Sequence, residues 1–369
     1  MQIDLEGLPE ADAAAVRDAW RDALASPTPP DHARATPPVI VAQPSTDRDG
    51  MLADLSQRVT LAALERRRGD LWMLHAAGLA GDDGRVVVLV GPSGRGKTTA
   101  ARALAATFGY VSDESVAIDD DGRVWPYRKP LSVIEKRGVP KTQRPPSELG
   151  LRPLPDAALQ VAAIVLLDRR DDAPEQPALE TIELGDALKD LVSQSSGLTS
   201  MPAPLRSIAL LTTATGGIRR VTYRESSSLR PVIDALLTEP GPETSPAPAS
   251  IRGPLFARRA VGGAGEPAAG EPADGELPRY SRAPFVDALD LGDPDRIAVL
   301  RSGARGEGTL HVLAGVAPAI WRAADAASVH DLTAAATDAF GVPDGDAGAL
   351  VGAAVDELVD AGLLATDRP

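Results

Sequence analysis

Residues 91–99, Gly-Pro-Ser-Gly-Arg-Gly-Lys-Thr-Thr, set three glycines ahead of a lysine and two hydroxyls, directly after the apolar run 86–90. The chemistry of that spacing is nucleoside triphosphate binding. Gly91, Gly94 and Gly96 let the backbone curl with its N–H groups pointing inward around a phosphate. Lys97 reaches the β and γ phosphates, and the Thr98 hydroxyl ligates Mg²⁺. The candidate nucleotide-binding set is Gly91, Ser93, Gly94, Arg95, Gly96, Lys97, Thr98 and Thr99. A Gly-rich turn can match this P-loop pattern by chance, but here a strand-like run precedes it and a helix follows. That helix is expected from residue 98 to about 107, with Gly109 as its stop, and its positive dipole end faces the same anion.

Asp113 is the second residue with chemical potential, because it ends the short strand-like run 110–112. Strand ends near the phosphate loop of an open α/β sheet collect catalytic groups. A carboxylate there binds Mg²⁺ or takes the proton of an attacking hydroxyl. The plainer alternative for Asp113 and Glu114 is an exposed turn or cap. Asp119-Asp-Asp-Gly122 formally matches the Asp-x-x-Gly of GTPases, yet it lies between two strand-like runs and has favourable hairpin-turn chemistry. No Asn-Lys-x-Asp segment follows, so ATP is favoured over GTP only by default.

The elements that must hold these residues are readable by periodicity. Residues 39–42 read as a strand, 51–68 as an amphipathic helix and 71–80 as another strand. Gly81-Asp-Asp-Gly84 supplies a hairpin turn into the strand of the phosphate loop, which gives that strand an antiparallel neighbour. Further on, 161–167 reads as a buried strand, 185–193 as a helix, 207–213 as helix or strand, 219–223 as a strand and 229–237 as a closing helix. Arg206, Arg219 and Arg220 are cations that suit phosphoryl charge or, more simply, a solvated surface.

The chain has 369 residues, enough for two domains with separate cores. A net charge of -14 opposes nucleic-acid binding, which depends on a basic surface. Cysteine is absent, which removes disulfides, thiolate zinc sites and cysteine nucleophiles. The acidic N-terminus carries no signal pattern and no apolar run approaches a membrane span, so a soluble, cytoplasmic protein with no membrane partner is expected. Residues 239–280 hold eight prolines and seven glycines in 42 positions, the composition of a linker. A flexible chain of that length reaches about 35 Å. Beyond it, 297–300 and 310–313 read as short strands around a Gly-rich turn. Three helices follow, the first around Ile320-Trp321, the second opened by Ser328 with Asp331 three residues on, the third carrying an apolar face from Leu350 to Val359.

Two resemblances add to this reading. Leu74-His75-Ala76-Ala77-Gly78, the phosphate loop 16 residues after His75, Val111-Ser112-Asp113-Glu114, and Pro126-Tyr127-Arg128-Lys129-Pro130-Leu131 together resemble the catalytic domain of the HPr serine kinase family and its related branches. The resemblance covers roughly residues 50–135. It implies that Asp113 is the base acting on a serine hydroxyl and that His75 lies beside the reacting phosphoryl group. Three departures stand out. Glu114 occupies the place of a second Asp, Thr99 the place where bifunctional members carry Glu, and the long motif tied to phosphorolysis is reduced to residues 134–139. Glu114 and Glu135 remain candidates for a metal contact, while dephosphorylation and HPr as substrate are not implied. In the last segment, 315–321, 328–340 and 355–364 resemble PqqD-like proteins, peptide-recognition modules of ribosomal-peptide maturation. These take a leader peptide as an added strand along a sheet edge.

The expected architecture is an α/β P-loop kinase domain of the HPr kinase type over 1–238, a Pro/Gly-rich linker over 239–280, and a small α+β winged-helix, PqqD-like domain over 281–369. The expected activity is ATP- and Mg²⁺-dependent phosphorylation of a serine or threonine in a precursor peptide whose leader the C-terminal domain binds. Two alternatives stay open: a kinase of a small molecule or another protein, and a catalytically weak, nucleotide-gated peptide scaffold. Homo-oligomer formation is also left open.

Overall fold

The computed structural model describes residues 1–23, 38–92, 94, 96–133, 141–240, 278–292, 296–304 and 306–367. Ser93, Arg95, Glu135 and nearly all of the expected linker lie outside them. Contacts divide the chain into two bodies, one built from Met1–Pro202 and the stretch from Leu211, the other from Ala203–Leu210 and the C-terminal residues.

The first body opens with a parallel pair, β1 (Gln2–Asp4) and β2 (Val39–Val41), and two helices, α1 (Glu10–Ala19) and α2 (Arg48–Arg66). Asp47 caps α2 by accepting from Gly50 N–H, and Leu52, Leu55 and Val59 on its buried stripe pack with Val16 and Trp20. The expected strand over 71–80 is two strands, β3 (Trp72–Leu74) and β4 (Ala76–Ala80), in different sheets. The break falls on His75, whose backbone N–H donates to the Gln194 carbonyl at 2.7 Å.

Next come β5 (Arg85–Val90), α3 (Lys97–Leu104), β6 (Gly109–Ser112), β7 (Val116–Ile118) and β8 (Val124–Trp125). The helix is shorter than its sequence suggested. It tightens after Leu104, whose carbonyl accepts from both Thr107 and Phe108, and the chain turns to bury Phe108. Gly109 therefore opens a buried strand and does not stop the helix.

The rest of this body comprises β9 (Leu131–Val133), β10 (Thr142–Arg144), β11 (Gln160–Arg169), β12 (Ala178–Ile182), α4 (Leu184–Ser193), β13 (Ser195–Ser196), α5 (Pro204–Ala214), β14 (Ile218–Tyr223) and α6 (Arg230–Thr238). By the contact division, the first turns of α5 fall in the second body.

A six-stranded sheet runs in the order β12-β14-β11-β5-β4-β6. β5 pairs parallel with β11 and antiparallel with β4, as the hairpin turn at 81–84 required. Val86–Val90 is fully buried, the pattern of a central strand covered on both faces. Ala100, Ala101 and Leu104 of α3 and Ile233 and Leu236 of α6 share one core cluster with Val87, Leu89 and Val165. A second, four-stranded sheet has the order β13-β3-β7-β8. Asp119–Gly122 is the turn between β7 and β8: Asp119 Oδ1 accepts from the backbones of Asp121 and Arg123, and Gly122 sits at φ +78.

Among its described residues after 277, the second body has two three-stranded sheets and three helices. Its strands are β15 (Arg279–Arg282), β16 (Asp287–Asp290), β17 (Ile297–Ser302) and β18 (Gly308–Leu313), followed by α7 (Ala317–Ala323), β19 (Ala327–Ser328), α8 (Val329–Phe340), α9 (Ala347–Asp360) and β20 (Leu364–Asp367). The orders are β19-β15-β20 and β16-β17-β18. Arg279 and Tyr280, placed in the linker by composition, are strand residues because they pair with β20 and β19. The Ser328–Asp331 capping box forms at the start of α8. Trp321, fully buried against Phe285 at 5.2 Å between ring centres, centres this core with Ile320, Leu332 and Val355. Among the described residues no helix is long and apolar enough to cross a membrane.

Candidate active site

The loop between β5 and α3 ends on Gly94 at φ +80 and Gly96 at φ +93, backbone that L side chains adopt only with strain. Gly96 is the N-cap of α3, and Lys97 is its first residue. The Lys97 side chain is 6% exposed and folds back over the loop, its Nζ donating to the carbonyls of Gly91 at 2.7 Å and Pro92 at 3.3 Å. Burial lowers its pKa, and the Asp113 carboxylate opposes that shift. Thr98 and Thr99 are exposed on the first turn and, with Arg102, Ala103, Leu149 and Leu151, line a cavity of about 350 Å³.

β6 delivers Asp113 to this place. Gly78, in the adjacent β4, packs so closely that a Cβ there would lie 3.0 Å from Val111 and 3.2 Å from Val116. The pairing of β4 with β6 slips by one residue next to it. After Ser112 the chain turns, with the Ser112 hydroxyl accepting from the backbones of Glu114 and Ser115 at 3.2 and 3.1 Å. Asp113 is buried, and the Tyr110 hydroxyl donates to its Oδ1 at 2.7 Å. Burial, then the Asp113 charge, pushes the Tyr110 hydroxyl well above its ordinary value, so it stays a donor.

His75 is coupled to the same groups. Burial lowers its pKa, and the Lys97 ammonium adds to the effect. Glu114, through its charge and its backbone carbonyl, and Asp113 pull the other way. Four of the residues singled out by sequence, His75, Lys97, Asp113 and Glu114, thus share one electrostatic neighbourhood.

The structure adds residues whose roles the sequence did not disclose. Lys129 is buried and pairs with Glu114 at 2.8 Å, also donating to the Pro130 carbonyl at 3.3 Å. Its neighbour Tyr127 ties this stretch to β6 by donating its N–H to the Val111 carbonyl. Arg128 lies near Tyr110, and its Nε is buried with no hydrogen-bond partner among the described residues. Arg169 and Tyr223, at paired ends of β11 and β14, flank Gly96. The Pro126–Leu131 stretch was visible in the sequence, but only the fold places Lys129, 15 residues on, against Glu114.

Arg219 and Arg220 are engaged elsewhere, with Glu239 at 3.7 Å and with Glu180 at 3.7 Å and Asp190 at 4.0 Å.

Whether this site suits Mg²⁺ can be judged from its donors. Among the described residues no group of three or more His, Asp or Glu side chains could hold a metal alone. Mg²⁺ does not need such a cage, because it keeps several waters and binds through one or two protein groups plus substrate phosphates. Thr98 and Asp113 fit that role. Glu114, a candidate metal contact from sequence, has its carboxylate engaged by Lys129.

Residues 293–364 match the family model of PqqD, coenzyme PQQ synthesis protein D. Among solved structures, the HPr(Ser) kinase/phosphatase from Coxiella burnetii matches at 14% identity with a TM-score of 0.26, over 45% of this chain and 93% of that one. No curated protein matches the chain. The polypeptide thus carries a PqqD-like segment behind an α/β body, the fused order that the sequence resemblances imply.

Proposed function

We propose that the protein is an ATP- and Mg²⁺-dependent kinase that phosphorylates a serine or threonine hydroxyl of a ribosomally made precursor peptide, with the leader held by the C-terminal, winged-helix body. The observation that carries the reading is the electrostatic coupling of the β5–α3 loop lysine to Asp113 and His75, in a chain that also holds a PqqD-like segment. In this reading Lys97 leaves the loop carbonyls for the β and γ phosphates, and the backbone at Gly91, Gly94 and Gly96 cradles them. Asp113, oriented by Tyr110, accepts the proton of the acceptor hydroxyl. The hydroxyl oxygen forms a bond to the γ phosphorus, the bond from that phosphorus to the β–γ bridging oxygen breaks, and ADP leaves. His75, held neutral by burial, adds no charge repulsion to Lys97. Thr98 and Asp113 would hold Mg²⁺, which would supply charge neutralisation on the phosphates. Lys129 keeps the Glu114 carboxylate from repelling the incoming nucleotide.

The test is ADP formation by the full chain with ATP and Mg²⁺, with and without a co-encoded precursor peptide, followed by mass spectrometry of the peptide. Peptide-dependent ADP and a mass gain of one phosphoryl group are expected, and Lys97→Ala should abolish both at unchanged circular dichroism. Wild-type turnover in that variant would remove Lys97 from the site. Peptide binding without any phosphoryl transfer would favour the scaffold reading.

A further inference from the structure

Apart from the β5–α3 loop, three segments that carry the site leave or enter the small sheet β13-β3-β7-β8. His75 follows β3 directly, Asp113 to Ser115 lead into β7, and Arg128 and Lys129 come shortly after β8. Met73, Ala117 and Trp125 are successive cross-strand partners, so their side chains share one face. Between that face and α2 lies a cavity of about 190 Å³ with Leu64, Met73 and Trp125 among its walls.

The cavity is built and largely apolar. Its polar end is Tyr127, whose hydroxyl and that of Thr60 satisfy each other at 2.9 Å. Among the described residues Arg67 is the one charged residue lining it, and its guanidinium lies 5.2 Å from the Trp125 ring centre, with that of Arg123 at 4.9 Å. Such contacts hold an indole in place.

Its location ties it to the acceptor. Ser115 lines the cavity two residues from Asp113, and Met73 lines it two residues from His75. Two residues of extended chain span about 7 Å. A peptide whose hydroxyl reaches Asp113 therefore has a side chain one or two positions away within reach of the cavity. A separate cavity, lined by Thr99 and Arg102 beside the loop helix, is open to a nucleoside in the phosphotransferase reading.

We propose that this cavity is an acceptor-side specificity pocket that receives a large apolar side chain, best an aromatic one, one or two residues from the phosphorylated hydroxyl. The proposal rests on the phosphotransferase reading above. Aromatic rings stack or meet edge-to-face with an indole, and a preformed apolar pocket discriminates strongly against a missing side chain.

The first arm of the test is independent of catalysis. N-acetyl-phenylalaninamide and N-acetyl-alaninamide are titrated into the full chain at millimolar concentration and followed by saturation-transfer NMR. The phenylalanine probe should bind and the alanine probe should not. Ala63, on α2, and Ala117 both line the cavity, so Ala63→Phe and, as a second variant, Ala117→Leu should fill it and remove binding. No binding of the phenylalanine probe to the wild type, or its displacement by adenosine, overturns the proposal.

The second arm compares short peptides with Phe or Ala beside one Ser, at concentrations where leader capture is not limiting. The Phe peptides should show kcat/KM higher by about tenfold or more. Ala63→Phe should erase that preference while the Ala peptides keep their rate. Equal rates in the wild type overturn the pocket. If no peptide is phosphorylated, the phosphotransferase reading fails, and the probe arm alone decides whether the cavity takes an apolar side chain.

Discussion

Lys129 and Glu114 form an unequal pair, with side chains 8% and 42% exposed. Removing one partner of a fully buried pair costs about 3–5 kcal/mol, because the other is left charged without compensation. Here the two deletions differ. Glu114→Gln strands a buried ammonium and should destabilise by about 1–3 kcal/mol, discounted because Glu114 is partly solvated. Lys129→Met strands a carboxylate that water reaches and should cost less. Urea unfolding of both variants checks the order, and a larger loss in Lys129→Met would show that the pair is not the buried element assigned here. Tyr110→Phe tests orientation at the neighbouring carboxylate. It removes the donor to Asp113 Oδ1 in a buried place, so phosphoryl transfer should fall about tenfold or more with ATP binding unchanged, whereas Asp113→Asn should lose about 10² to 10⁴. Equal rates in Tyr110→Phe and wild type would leave the hydrogen bond without a catalytic role.

At the scale of elements, the junction between β3 and β4 sets the behaviour of His75. Burial, then Lys97, holds its pKa below the ordinary 6.5. The unfolded chain therefore binds a proton at a pH where the folded chain does not. Stability is complete above about pH 6.5 and falls as the pH drops toward the folded value, since the unfolded state then binds more protons. His311, lowered by burial and Arg301, acts in the same direction in the second body. His75→Gln should flatten the acid loss in the first body alone, read by hydrogen-exchange mass spectrometry of β5 and β17 peptides across urea series at pH 5.5 and 7.5. The same loss at β5 in the variant would assign the acid sensitivity to other groups. Gly78→Ala places a methyl 3.0 Å from Val111 and should destabilise the first body by about 1–3 kcal/mol. The elements themselves were largely legible: continuous apolar runs gave β5 and β11, Gly-Asp-Asp-Gly gave the hairpin, and the Ser328–Asp331 box gave the start of α8. The break at His75 was not, because an apolar run does not say which of two sheets each half joins. Lys129 was missed for a related reason, since its role depends on a tertiary contact across β6 and β8 and on no local pattern.

At the scale of the molecule, the two bodies are joined by sequence whose composition is that of a flexible linker. If the C-terminal body captures the leader, the acceptor hydroxyl is held at an effective concentration on the order of mM near the first body. A chain ending near Leu237 should then keep ATP turnover with short peptides but lose activity on the full precursor at low peptide concentration, and residues 281–369 added in trans should restore little. The sheet edge offers a sharper test. β18 is an edge strand, and Val312 on it is 38% exposed. Along such a strand successive backbone N–H groups point alternately toward β17 and toward the open side. Of His311→Pro and Val312→Pro, one therefore removes a ladder bond to β17 and lowers the melting temperature of the second body. The other removes a donor from the open edge and should mimic truncation with the fold intact. Rates for the full chain, the truncation and both proline variants over a range of precursor concentrations separate these outcomes. If the variant that keeps its melting temperature also keeps wild-type activity at low peptide, the leader does not add to this edge, and the small-molecule kinase reading takes precedence.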